Sequence, residues 1–187
     1  MPEIRLTVQR CEASQWDDLG FSQHHYLTKS INKSCKCLLF SWDNMPVAFA
    51  ALLNTPKNGH PYYMSISRLV ILPDFQGLGL SKKISNFCGG ILKSISDDTH
   101  EYKLCIKTAN DAMGHSLENN PYWKPTVYNK KMRSQKAVDD AWPKYKNCLV
   151  RWSYCYSYEG PAISGFDELL LPIKKLRDKK LQLEIKF

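Results

Sequence analysis

Leu69, Val70, Ile71 and Leu72 form an unbroken apolar run that Pro73 closes by removing a ladder donor, as in a strand covered on both faces. From Leu80 the period changes. Leu80, Ile84, Phe87, Cys88, Ile91, Leu92 and Ile95 recur at spacings of three and four, which predicts a helix with one buried face. Around this pair the pattern predicts further elements. Ile4 to Gln9 reads as a first strand, Ser14 to Gly20 as a short helix with Ser14 as N-cap, and Phe21 to Ile31 as a second helical or loop stretch. Cys37 to Trp42 and Pro46 to Leu53 are apolar runs separated by Asp43-Asn44-Met45, a hairpin signal. Tyr62 to Leu72 is the next strand, Tyr102 to Thr108 another, and Asn110 to Asn119 a short helix stopped by Pro121.

Beyond Pro121 the pattern is less regular. Val127 to Lys146 is polar, basic and in part helical, and Cys148 to Tyr158 is a strand rich in aromatics. Phe166, Leu169, Leu170, Ile173 and Leu176 fall at helical spacing within 166–180, with Pro172 imposing a kink or a late start. No repeat or linker divides the chain. The expectation is one domain over 1–187, with 124–187 as its basic C-terminal part.

The segment between the strand and the long helix carries the chemistry. Gly77 and Gly79 allow backbone conformations closed to other residues, and the free N–H groups of the following helix's first turn converge with those of the turn. Such a volume favours phosphate. A Walker loop is excluded, because no glycine followed by lysine stands at the required spacing behind Gly77 or Gly79. A dinucleotide fingerprint needs a third glycine where Lys82 stands, and Glu101 precedes the next strand instead of ending it.

What remains is Gln76-x-x-Gly79-x-Ser81 behind a Val-Ile-Leu-Pro strand end. It resembles the coenzyme A pyrophosphate loop of the GCN5-related N-acetyltransferases (GNAT), Gln/Arg-x-x-Gly-x-Gly/Ala, with Ser81 as a small departure. The order of elements from Ile4 to Tyr122 is also similar to that family's. The resemblance implies an α+β (α/β) fold: a mixed, mostly antiparallel central sheet, helices on both faces, and a splayed strand pair holding coenzyme A. It implies acetyl-coenzyme A as cosubstrate, and as activity the transfer of an acyl group to an amine of a small molecule or protein by direct attack in a ternary complex. Backbone groups of Leu69, Val70 and Ile71 would bond the pantetheine. The turn Gly77, Leu78, Gly79, Leu80, Ser81 and Lys82, with Gln76, would bind the pyrophosphate, and Asn110 would touch the cofactor.

The family's usual tyrosine acid, seven residues after that asparagine, is here Leu117, and Ser65 and Ser67 stand where a strand carboxylate base is expected. His115, Ser116, Tyr122 or Tyr128 would then supply the acid. His24 and His25, in the segment that walls the family's acceptor site, would supply the base, with His25 ahead. A capping or surface histidine pair is the competing explanation.

Composition bears on partners. Seven cysteines without Cys-x-x-Cys spacing predict reduced, hydrophobe-like thiols and no metal site. The N-terminus has no apolar signal core and no run spans a bilayer, so a cytoplasmic protein without a membrane partner is expected, as monomer or homodimer. The net charge of +8 is concentrated late, with Trp123, Tyr128, Trp142 and Tyr145 among the lysines. A solvated face or cofactor-phosphate contact accounts for it. Nucleic-acid contact is the alternative, as in the phage Mom-type DNA adenine modification proteins that His24-His25-Tyr26-Leu27 and the basic part resemble. A non-catalytic module that binds coenzyme A is a third reading.

Overall fold

The apolar strand that ends before Pro73 lies inside an eight-stranded sheet. The computed structural model describes residues 3–25, 29–56, 60–132, 152–172, 175 and 181–187. The strands are β1 (Arg5–Cys11), β2 (Lys36–Trp42), β3 (Met45–Asn54), β4 (Tyr63–Ile71), β5 (Lys103–Thr108), β6 (Trp123–Pro125), β7 (Tyr154–Tyr158) and β8 (Gln182–Lys186). They are ordered β6-β7-β5-β4-β3-β2-β1-β8. Every pairing is antiparallel except β4 with β5. A parallel neighbour requires a crossover, and α2 (Leu80–Ser94) supplies it. The expected mixed, mostly antiparallel sheet with helices on both faces is thus the fold observed.

Local chemistry explains the regular parts. The β2–β3 hairpin turns at Asp43 (φ 46°) and Asn44 (φ 66°), the two left-handed positions that a tight two-residue loop demands and that Asp and Asn tolerate. Two cores form, one on each face. On the first, the apolar stripe of α2, with Ile84, Cys88 and Ile91 fully buried, meets Leu38, Phe40, Ala50, Leu52, Leu104 and Ile106 of the strands. Leu117 of α3 (Asp111–Glu118) joins the same core. On the second, Trp16 of α1 (Gln15–Asp18) and Phe21 of a 3₁₀ turn (Phe21–His24) cover Cys37, Leu39, Phe49 and Ala51. Each large side chain buried this way contributes about 1.5–3 kcal/mol.

The Gly89-Gly90 pair inside α2 permits close approach. A Cβ on Gly89 would overlap the Tyr158 ring, and one on Gly90 would overlap Ile163, whose N–H donates to the Gly90 carbonyl at 2.9 Å. A half-buried amide fixes the next connection. Asn86 Oδ1 of α2 accepts from Asn120 Nδ2 and from Trp123 Nε1, both at 2.8 Å. Trp123 is therefore a core residue, 2% exposed, and not a stacking platform.

Several expectations are corrected. Ser14 takes helical angles (φ −61°, ψ −33°) and its side chain makes no capping bond, so α1 is a single turn. The stretch 21–31 contains one 3₁₀ turn, with Tyr26, Leu27 and Thr28 outside the described residues. The helical spacing within 166–180 yields a 3₁₀ turn at Asp167–Leu170 that stops before Pro172, which cannot donate an N–H and restricts its predecessor. Most of 173–180 lies outside the described residues, as do 133–151 with the expected partial helix, Trp142, Tyr145 and the start of the aromatic strand. β6 and β8 were not expected. β8 pairs with β1 from Arg5↔Lys186 to Gln9↔Gln182 and so belongs to the same sheet.

Cys11, Cys35, Cys37, Cys88 and Cys155 are buried free thiols, and Cys105 is buried as well. Desolvation pushes Cys88 up to about 12 and Cys37 to about 11 from an ordinary 9.0. Each raised thiol holds its proton more tightly folded than unfolded, so its stabilising contribution is complete below pH 9.0 and declines as pH rises toward the folded values. Urea midpoints should accordingly fall between pH 8 and pH 10.5, and Cys88→Ala should fall less steeply than wild type. Equal slopes would show that the Cys88 thiol does not contribute. Gly89→Ala should cost about 1–3 kcal/mol in denaturant unfolding through overpacking against Tyr158.

Candidate active site

The site begins where β4 leaves β5. The two strands pair only from Tyr63↔Lys103 to Ile66↔Ile106. On the other side of β4 the register with β3 shifts between Ala51↔Arg68 and Leu52↔Ile66, so Ser67 is an extra residue, a β-bulge. A bulge bends its strand and increases the local twist. Beyond it Ser67 to Ile71 diverge from Lys107 and Thr108, and β4 presents backbone groups on that side without a pairing strand. The bulge also keeps the faces in phase: Met64 and Ile66 point into the first core, as do Leu69 and Ile71 after it, while Val70 enters the second.

A cavity of about 440 Å³ fills the opening. β4 lines it with Ile66, Ser67, Leu69, Val70 and Ile71, and β5 with Ile106, Lys107 and Thr108. Phe75, Gln76, Gly77, Gly79, Leu80 and Ser81 form its rim at the start of α2, and Asn110, Ala112 and Met113 the rim at α3. His24 and His25 close the side of the second core.

The rim is a tight turn leading into a helix start. After a 3₁₀ turn (Pro73–Phe75), Gln76 Nε2 donates to the Ile71 carbonyl at 2.9 Å and ties the turn to the strand end. Gly77 (φ 81°) and Gly79 (φ 71°) take left-handed conformations, and a Cβ on either would meet nothing within 4 Å. Backbone angle, and not crowding, requires glycine here. Gly79 is the N-cap of α2, whose first-turn N–H groups have no intrahelical partner and face the cavity rim. Lys82 and the half-exposed Leu78 belong to the same turn but lie outside the cavity lining.

Of the residues considered for proton transfer, His24 and His25 are brought to the cavity. Ser116 stands a turn further along α3 than Met113 and is not in the lining. Tyr122 lies past the far end of α3, its ring edge-on to Tyr158 at 6.3 Å, and is also outside it. Leu117, at the family's acid position, is 1% exposed in the first core. His115 pairs with Glu118 at 3.4 Å, and Tyr128 is 56% exposed; neither is in the lining. Asn110 borders the cavity, with its Oδ1 accepting from Met113 N at 2.9 Å as the N-cap of α3. Ser67, Lys107 and Thr108 were not singled out as ligand-contacting residues by sequence. The signal for Ser67 is the adjacent polar pair Ser67-Arg68, which interrupts the alternation of Met64 to Ser67 ahead of the apolar run.

Trp16 and Arg68 make the following contacts on this side of the sheet. The Trp16 ring meets His25 edge-on at 5.7 Å, and its Nε1 donates to the Lys29 carbonyl at 2.6 Å. Arg68, beside the bulge, donates through Nη1 to the Ser67 carbonyl at 2.7 Å and through Nη2 to the Ser30 carbonyl at 2.6 Å. Burial pushes the Cys35 thiol up, an effect that a hydrogen bond with the Ser67 side chain opposes. Among the described residues no three His, Cys, Asp or Glu side chains converge on a possible metal site, and no helix is long and apolar enough to cross a membrane.

Solved structures share this architecture. Naa50 of Arabidopsis thaliana, in complex with the bisubstrate analogue CoA-Ac-MVNAL, matches 81% of this chain and 97% of its own at TM-score 0.56 and 12% identity. The ribosomal-protein-S18-alanine N-acetyltransferase of Escherichia coli matches 86% and 96% at TM-score 0.55 and 11% identity. An acetyltransferase of the GNAT family from Streptococcus pneumoniae matches 81% and 98% at TM-score 0.51 and 10% identity. The fold is the GNAT fold. No family model and no curated protein matches the sequence, so the likeness lies in the fold.

In this GNAT fold the glycine turn sits at the cavity rim, and its backbone angles direct the N–H groups there. If coenzyme A binds at this rim, Gly79→Val, which forces a β-branched residue to φ 71°, should weaken it at least tenfold in calorimetry while leaving the far-ultraviolet spectrum intact. Unchanged affinity would remove the turn from the site.

Proposed function

We propose that the protein is an acetyl-coenzyme A dependent N-acyltransferase acting on an amine of a small molecule or of a protein. The observation that carries this reading is the coincidence of two features: a parallel strand pair that opens at the Ser67 bulge, and a left-handed Gly77–Gly79 turn at the N-terminus of α2 on the rim of that opening. An extended chain bearing amides can bond the side of β4 from Leu69 to Ile71 that faces the opening, where the Ile71 carbonyl also accepts from Gln76, and a pyrophosphate can take the N–H groups from Gly77 through Ser81. The residues present fit coenzyme A on both counts.

The reaction forms a C–N bond between the acceptor amine and the acyl carbon and breaks the C–S bond. The nitrogen gives up one proton and the departing thiolate takes one. The chain's part is to hold both reactants in the opening and to manage those protons. His25, between the buried Trp16 and the cavity, accepts the proton from the amine. With Ser116, Tyr122 and the buried Leu117 outside the lining, no side chain of α3 beyond Met113 is assigned the acid step, and the thiolate takes its proton from solvent in the cavity.

Thiol release from acetyl-coenzyme A, measured across a panel of amines and peptides, tests the activity. Stimulation by an acceptor is expected, and a protein that binds coenzyme A but turns over none of the panel would instead be a binding module. With a working acceptor, His25→Ala should lower turnover about 100-fold with coenzyme affinity unchanged. Wild-type turnover in that variant would exclude His25 as the base.

A further inference from the structure

We propose that Lys107 is the specificity residue of the acceptor side, and that the acceptor is a small amine carrying a carboxylate, as a free amino acid does. The inference rests on the transferase reading for the acceptor, and on the cavity lining for its chemistry. Among the described residues that line the cavity there is no Asp or Glu, and Lys107 is the formally charged side chain beside the titratable His24 and His25. Strand alternation sets its direction. Leu104 and Ile106 of β5 point into the first core, so Lys107 projects on the opposite face, the one that carries Val70 and the histidines. Its ammonium is left without a counterion. Lys103 on the same strand pairs with Glu101 at 3.2 Å and Lys36 of β2 donates to the Leu170 carbonyl, whereas the Lys107 ammonium has neither ion pair nor hydrogen bond among the described residues.

An unpaired cation in a cleft bordered by apolar side chains attracts an anion and repels a second cation. An acceptor amine brings a positive charge of its own, because it is largely protonated at neutral pH. A diamine entering this side would set like charges together, with no carboxylate in the described lining to offset them. A carboxylate on the acceptor instead pairs with Lys107 through a charge-assisted hydrogen bond, which holds the molecule by one end and leaves its amine facing His25. The turn from Gly77 to Ser81 stands on the other wall, toward α2, so Lys107 is not needed for the cosubstrate's phosphates. The acyl end of the cosubstrate takes part of the same 440 Å³, and the portion of the acceptor inside it is accordingly small.

Thiol release from acetyl-coenzyme A with matched acceptors tests the preference: free amino acids against their amides, and against diamines of similar length. The wild-type protein should use an amino acid with a kcat/KM about tenfold or more above that of its amide, and the diamine least of all. Lys107→Gln should lower kcat/KM for amino acids about 10- to 100-fold, mainly through KM, and that for amides by no more than about twofold. Lys107→Glu should reverse the order and favour the diamine. Equal use of acid and amide by wild type, acetylation of other amines but of no amino acid, or an unchanged preference in Lys107→Gln would overturn the proposal. A second measurement needs neither cosubstrate nor turnover. In NMR titrations of the protein alone, propanoate should shift the backbone amides of Lys107 and Thr108, its neutral counterpart propanamide should not, and Lys107→Gln should abolish the propanoate shift. Propanoate and propanamide acting alike would also sink the idea. Failure of the wild-type protein to bind coenzyme A would remove the transferase reading alone, since the propanoate titration still decides whether Lys107 takes a carboxylate.

Discussion

A single extra residue in a central strand governs the arrangement. Because Ser67 bulges out of the β3–β4 ladder, β4 bends away from β5 after four paired residues, and the sheet opens in its interior instead of at an edge. Opening a sheet internally exposes backbone donors and acceptors that a continuous ladder would satisfy, which is costly unless something else pairs with them. The flanking strands limit that cost. β3 holds β4 along its whole length, and β7 holds β5 up to Thr108↔Tyr154, so each side of the gap is anchored on the far side from it.

The two cores give the gap two different walls. Toward α2 the opening is bordered by aliphatic residues and by a helix N-terminus, surroundings suited to an extended chain that ends in phosphate. Toward α1 it is bordered by Val70, Ser67, Lys107 and the histidines, which offer protonatable groups. The division follows from strand alternation: neighbouring residues of β4 serve opposite faces, so one strand furnishes both walls.

Much of the strand, turn and helix start on one side of the cavity was legible in sequence because it is local. The run Leu69 to Leu72, Pro73, Gln76, Gly79 and the helical period from Leu80 lie within one short stretch, and backbone chemistry alone ties them to a strand, a left-handed turn and a helix start. The Asp43-Asn44 hairpin was readable for the same reason. What escaped depends on distant partners. Trp123, grouped with the basic cluster on a solvated face or, alternatively, a stacking surface, enters the core because Asn86, far away in sequence, accepts its indole N–H. The strand Gln182–Lys186 alternates Leu183 and Ile185 with polar residues, yet only β1 makes it part of the sheet. Ser116 and Tyr122 were chosen by distance along the chain from Asn110, which cannot tell which side of α3 or which end of it meets the cavity.

The bulge at Ser67 has a further implication for how such a chain can change. Leu69 and Ile71 share a face with Met64 and Ile66 only because an odd residue intervenes, and Val70 reaches the second core by the same count. Between Ile66 and Leu69 the number of residues is therefore constrained more strictly than their identity. Exchanging Ser67 for another small side chain alters its contacts with Cys35 and Arg68, whereas deleting it inverts every downstream side chain of β4 and turns the sheet's interior opening back into an ordinary ladder. In a lineage descended from this chain, drift in spelling at that point is tolerable, and a change in length there is not.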